Sequence, residues 1–195
     1  MTVAVVLFTS DLRLHDHPPL RAALAAADEV VPLFVRDPGV HAAGFDAPNR
    51  SAFLADCLAD LDASLRRRGG RLVVRTGPVV REVRALAAEC RAVEVHMATG
   101  VTGYAQRREE RLREELGDHG VALRVHDGVI TAVAAGAVTP AGSDHYAVFT
   151  PYFRRWSQQR LRDTCPTPPP LTLPEGGGGV PPPAPARRCR HTPRP

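Results

Sequence analysis

No lysine occurs in the 195 residues; all 25 basic side chains are arginine. Aromatic residues make up only 5% of the chain, and half of them cluster late, between His145 and Asp163. No apolar run approaches the length needed to cross a bilayer, so no membrane partner is expected. The start, MTVAVVLFTSD, lacks both a basic leader and a small-residue cleavage site, which marks it as a first strand and not a secretory signal. The four cysteines, Cys57, Cys90, Cys165 and Cys189, form no CxxC pair, which excludes an obvious zinc site or disulfide framework. A reducing, cytoplasmic setting fits that pattern. The loop TSDLRLHDHPP after the first strand has no glycine. Dinucleotide dehydrogenases and P-loop enzymes need backbone glycine against phosphate at that point, so both classes fall away. No nucleophile elbow and no zinc-like spacing surrounds His15, His17 or His96, which leaves a hydrolase without support.

The net charge of +4 is unevenly placed. From Arg154 onward eight arginines face only Asp163 and Glu175, while the residues before Arg154 carry 17 arginines against 19 acids. The part that reads as folded is therefore slightly acidic. Overall basicity is poor grounds for nucleic-acid binding, and DNA binding by this chain alone is not expected.

Strands alternate with helices along most of the chain. Val3 to Phe8 is an apolar strand, and the helix after it starts at Pro18-Pro19 with Leu20, Ala23, Leu24 and Ala27 on one face. EVVPLFV, from Glu29, reads as strand two, although Pro32 argues against a central position. The spacing predicts a helix over Ser51 to Arg68, strand three at Arg71 to Arg75, and a helix through Val79, Val83, Leu86 and Ala87. Strand four falls at Ala92 to Met97, a charged helix at Arg107 to Leu116, and strand five at Ala122 to His126. The fold class is α/β, a Rossmann-like open parallel five-stranded sheet with helices on both faces. The expected domains are residues 1–127 for the core, 128–163 for a closing segment, and 164–195 for a disordered tail rich in proline, glycine and arginine. Eleven of the nineteen prolines lie in that tail, and it cannot bury enough apolar surface to offset the cost of ordering.

Chemistry-bearing residues gather in the loops after the strands. Asp11, Arg13 and Asp16 recur on a tight period, which reads as a loop scaffold with Arg13 bridging two acids that cap the chain and the helix start. DLRLHDHPPLRAAL resembles the N-terminal signature of the DNA photolyase/cryptochrome family. PLFVRDPG, DAPNRSAFLADCLADLDASLRRRGGRLVV and AVFTPYFRRW are similar to three further family segments, in the same order. The resemblance covers Met1 to about Asp163.

That resemblance implies an N-terminal α/β antenna domain. In the family it holds a light-harvesting deazaflavin or reduced folate, and a separate helical domain binds FAD and damaged DNA, where photoexcited flavin repairs pyrimidine dimers. By position in the family pattern, Phe8, Thr9, Ser10, Asp37, Arg50, Gly100 and Tyr104 would line the chromophore pocket. Thr9 and Ser10 stand where the family often has arginines, and Ala98 and Gly100 where it has an asparagine and an acid. Arg108 and Glu109 match a family Arg-Asp pair. Nothing after Asp163 resembles the FAD domain, so the expectation is a truncated or frame-shifted, catalytically incompetent form, with FAD chemistry supplied in trans if at all. The alternative is a stand-alone Rossmann-like nucleotide-binding module. In AVFTPYFRRW, the aromatics Tyr146, Phe149, Tyr152, Phe153 and Trp156 are expected to bury against the α/β domain, with some of them exposed where the partner domain is missing.

Overall fold

The structure is a computed structural model that describes residues 1–42 and 47–174. Its elements run β1 (Val3–Phe8), α1 (Pro18–Ala26), β2 (Glu29–Arg36), α2 (Pro38–Ala42), α3 (Pro48–Arg66), β3 (Val73–Thr76), α4 (Val79–Glu89), β4 (Glu94–Ala98), α5 (Gly103–Gly117), β5 (Ala122–His126) and α6 (Phe149–Trp156). All four strand pairings are parallel, in the order β3-β2-β1-β4-β5. The α/β class with helices on both faces is as expected.

Alternation along the strands sorts the core into two layers. Val5, Leu7, Leu33 and Met97 point to one face and meet Val83 and Leu86 of α4 and Leu112 and Leu116 of α5. Ala4, Val6, Phe8 and Phe34 point to the other, against Leu20 of α1 and Leu58, Leu61 and Leu65 of α3. Burying each such large apolar side chain stabilises the fold by roughly 1.5–3 kcal/mol before entropy is counted. β1 is buried at all six positions, as a strand covered on both faces should be.

Pro32 lies in an interior strand, which corrects the expectation that it marks an edge. It pairs with Val6 on the β1 side. The pairing of β2 with β3 begins one residue later, at Leu33 opposite Val73. The Val30 amide points away from β1, donating at 2.9 Å to the Thr172 carbonyl. By period two, the Pro32 nitrogen faces the same way, below the start of β3, where no ladder bond is lost.

Thr172 belongs to a segment expected to be disordered, and over residues 165–172 the structure corrects that expectation. The Asp16 amide donates to the Cys165 carbonyl at 3.2 Å, Arg68 donates to the Pro168 carbonyl at 2.6 Å, and the Leu171 amide donates to the Arg68 carbonyl at 2.7 Å. Leu171 itself is buried in the α1/α3 layer. The segment is a strap, held by backbone bonds and one apolar anchor, and a composition argument sees neither. Residues 175–195 lie outside the described residues.

Two helices start earlier than the apolar periodicity shows. Pro48 supplies the first turn of α3, and the Thr102 hydroxyl caps α5 by accepting from the Ala105 amide at 3.2 Å. The aromatics of α6 divide, with Tyr152 and Trp156 half-buried and Phe149 and Phe153 exposed. No α6 residue is buried, and Phe149 is 71% exposed. They stack on one another instead: Phe149 on Phe153 at 5.6 Å between centroids, and Phe153 on Trp156 at 6.0 Å.

Candidate functional site at the ends of β1 and β4

β1 continues through α1 to β2 on one side, while β4 pairs with β1 on the other. The strand order therefore reverses between β1 and β4, and the crevice outside their carboxyl ends is where open α/β sheets hold ligands. Phe8 ends β1 with Thr9 and Ser10 just after it, Asp37 follows β2, and Gly100 and Tyr104 come after β4.

Asp37 and Tyr104 meet across the end of β1. Asp37 Oδ1 accepts from the Gly39 amide at 2.8 Å, which fixes the carboxylate at the first turn of α2, and its Oδ2 accepts a short hydrogen bond from the Tyr104 hydroxyl. Burial and that bond push the Tyr104 phenol above its ordinary pKa. The Arg108 guanidinium lies 5.7 Å from the Tyr104 ring centroid, in range for a cation–π contact. Its Nε is buried without a hydrogen-bond partner, and burial pulls the group below its ordinary pKa. Asp37, Tyr104 and Arg108 thus form one polar group, of which the sequence-predicted set contained the first two. Arg108 was legible as part of the Arg108-Glu109 pair, but its facing toward Tyr104 required the helix to start at Gly103.

The remaining predicted residues sit differently. Phe8 is buried and stacks on His17 at 4.7 Å, so only its backbone faces the crevice. Thr9 is half-buried and Ser10 exposed beside it. Gly100 is needed for close packing, since a Cβ there would stand 2.2 Å from the Ala105 Cβ. Arg50 lies exposed in the first turn of α3, just after residues 43–46, which lie outside the described residues.

The start of α1 is closed to phosphate. Pro18 and Pro19 carry no amide hydrogen, the Leu20 amide donates to His17 Nδ1 at 3.1 Å, and the Arg21 amide donates to the His17 carbonyl. His17 is the helix cap, a role expected of Asp16. Asp16 instead holds the strap, and Arg13 bridges Asp11 at 3.3 Å and Asp16 at 3.6 Å as anticipated. Burial raises the Asp11 carboxyl above its ordinary pKa, with Arg13 opposing that shift.

A second polar set lies on the α1 side of β4 and β5. His96 Nδ1 and His126 Nε2 are 3.1 Å apart, His96 Nε2 lies 3.1 Å from Glu94, and Glu94 pairs with Arg124 at 2.8 Å. Burial lowers both imidazoles. Among the described residues no group of three or more His, Cys, Asp or Glu side chains is arranged to hold a metal ion, and no helix is long and apolar enough to cross a membrane.

Comparison with known proteins converges on one family. The sequence model of DNA photolyase matches residues 4–174. A deoxyribodipyrimidine photo-lyase of Streptomyces griseus is 62% identical over 190 residues, 97% of this chain but 41% of that protein. The class III photolyase of Agrobacterium tumefaciens superposes with a TM-score of 0.81 at 26% identity, over 94% of this chain and 37% of that one. An archaeal photolyase from Sulfolobus tokodaii, described as holding two FAD molecules with a light-harvesting implication, shares the fold at a TM-score of 0.70 and 23% identity, over 88% of this chain and 37% of that one. The chain thus spans about 41% of the length of its Streptomyces relative.

Proposed function

The chain belongs to the DNA photolyase family as its N-terminal α/β domain, and from that premise we propose that it works as an antenna module. The crevice at the ends of β1 and β4 would take the light-harvesting chromophore, a deazaflavin or a reduced folate. The observation that carries this reading is the group formed by Asp37, Tyr104 and Arg108, placed at the reversal of strand order. The Arg108 Nε, buried without a hydrogen-bond partner, is a donor that a polar heteroaromatic ligand would satisfy, and the Tyr104 face offers it a stacking surface. Opening the Tyr104–Asp37 bond would expose a carboxylate and a phenol together. Photorepair of DNA by FAD belongs to the whole enzymes of the family. It is carried over only as the setting in which this module would pass on excitation, to a helical domain in the same or another polypeptide.

The test is direct. The purified chain is mixed with a hydroxylated deazaflavin or a reduced folate, passed over a sizing column and scanned from the near-UV to the blue. A chromophore band eluting with the protein, weakened about tenfold or more in affinity by Asp37→Asn or Tyr104→Phe, supports the antenna role. Chromophore eluting free, or bound equally by all three proteins, would remove it.

A further inference from the structure

The geometry points to a second binding site, for a nucleoside monophosphate, in the cleft that the strap closes against α3. The cleft measures about 490 Å³, within the range of small-ligand sites, and shares no lining residue with the group formed by Asp37, Tyr104 and Arg108. Its apolar lining comes from Leu12, Leu14 and Leu61, against which a flat ring would lie. Its rim carries Arg67 and Arg68 at the end of α3, with Arg13 from the first loop.

These guanidinium groups are not used up by the fold to equal degrees. Arg13 is neutralised by Asp11 and Asp16. Arg67 donates only to the Ser64 hydroxyl, at 2.8 Å, and Arg68 only to the Pro168 carbonyl, at 2.6 Å. No described carboxylate lies within ion-pair distance of either. Arginines at a helix C-terminus commonly serve the last carbonyls, but here those acceptors are taken. The Ala63 carbonyl accepts from the Arg67 amide, the Leu65 carbonyl from the Arg68 and Gly70 amides, the Arg66 carbonyl from Gly69, and the Arg68 carbonyl from Leu171. The strap takes the Arg68 carbonyl, the other acceptors are taken by the helix end's own amides, and both guanidinium groups line the cleft with donors to spare, a chemistry that suits the oxygens of a phosphate monoester. The Ser64 and Thr167 hydroxyls also line the cleft and would serve the sugar. Asp60 is the one carboxylate on the rim and opposes the anion.

Isothermal titration of the full chain with AMP, adenosine and inorganic phosphate decides the matter. AMP is expected to bind at least about tenfold more tightly than either fragment. The double variant Arg67→Gln/Arg68→Gln should weaken AMP about tenfold with an unchanged circular-dichroism spectrum. Asp60→Asn should tighten it a few-fold, a gain that a misfolded protein would not produce. Equal affinity for AMP and adenosine, no AMP binding at millimolar concentration, or indifference to the arginine pair overturns the site. An AMP affinity that responds to Tyr104→Phe instead would place the nucleotide at the sheet edge and overturn it as well. The first three of these outcomes leave the chromophore reading at Asp37 untouched.

Discussion

Asp16 Oδ1 accepts from Arg162 Nη1 at 2.5 Å and from the Cys165 amide at 2.9 Å, joining the first loop to residues almost 150 positions later. The same residue sits at a φ of 47°, a conformation that Asp and Asn tolerate better than most. The Arg162 hydrogen bond, aided by the Cys165 amide, holds the Asp16 carboxyl down at about 2.

Asp16→Asn keeps the backbone conformation and removes the charge. The expected loss is about 1–2 kcal/mol at neutral pH, the scale of a charged hydrogen bond. A carboxylate whose folded pKa lies below its unfolded value stabilises above that unfolded value and stops doing so as pH falls through the folded one. The gap between wild type and D16N in urea titrations should therefore be full at pH 7 and close between about 4 and 2. A gap independent of pH would mean that the bond carries no charge-assisted share.

His17 acts on the same acid limb of the pH profile, at higher pH. Burial, with Arg13 and His126 adding to it, pushes its imidazole down to about 4. Below its ordinary pKa of 6.5 the unfolded chain takes up a proton that the folded chain refuses, so stability falls with acid. Between pH 6.5 and 4 the loss attributable to this residue is roughly 3 kcal/mol. His17→Asn retains the cap on Leu20 and should flatten that part of the curve. An undiminished slope would shift the acid sensitivity to the His96–His126 pair.

Gly100→Ala should be destabilising by about 2–3 kcal/mol, because the new methyl and the Ala105 Cβ cannot share the space at 2.2 Å. Adding Ala105→Gly restores the room at the cost of about 1 kcal/mol of helix propensity. Thermal melts of both proteins check this, and a double variant no more stable than the single would contradict the packing account.

The aromatic ladder of α6 leaves Val148, Phe149 and Phe153 open to solvent. Exposed apolar surface of this kind binds hydrophobic dyes and promotes association. Phe149→Ser with Phe153→Ser should lower dye fluorescence and light scattering while leaving the urea midpoint nearly unchanged, since neither ring is buried. A midpoint that drops by more than about 1 kcal/mol equivalent would show that the ladder supports the domain after all.

The sheet was legible because its strands are short apolar runs separated by amphipathic helices, and Val3 to Phe8 read correctly to the residue. The loops that follow β1, β2 and β4 gather at one end of the sheet, as its parallel order requires. That Tyr104 reaches Asp37 was not legible, because the contact depends on β1 lying between β2 and β4, and adjacency in a sheet is not written in either loop. Pro32 misled for a related reason. Its effect depends on where β3 begins, and that start is set by the Gly69-Gly70 turn at the end of α3. His17 was visible as the residue before two prolines, the usual cap position, yet the neighbouring carboxylate drew the assignment. The strap escaped because proline-rich composition argues against a core, whereas Leu171 needs only one apolar socket and a few backbone bonds.

The bond from Val30 to Thr172 has a practical meaning for anyone cutting this chain. A fragment ending at residue 127, after the last strand, would contain every strand and still leave the Leu171 socket empty and the Val30 amide unanswered. A piece that keeps both contacts runs to about residue 172, well past the last strand of the sheet.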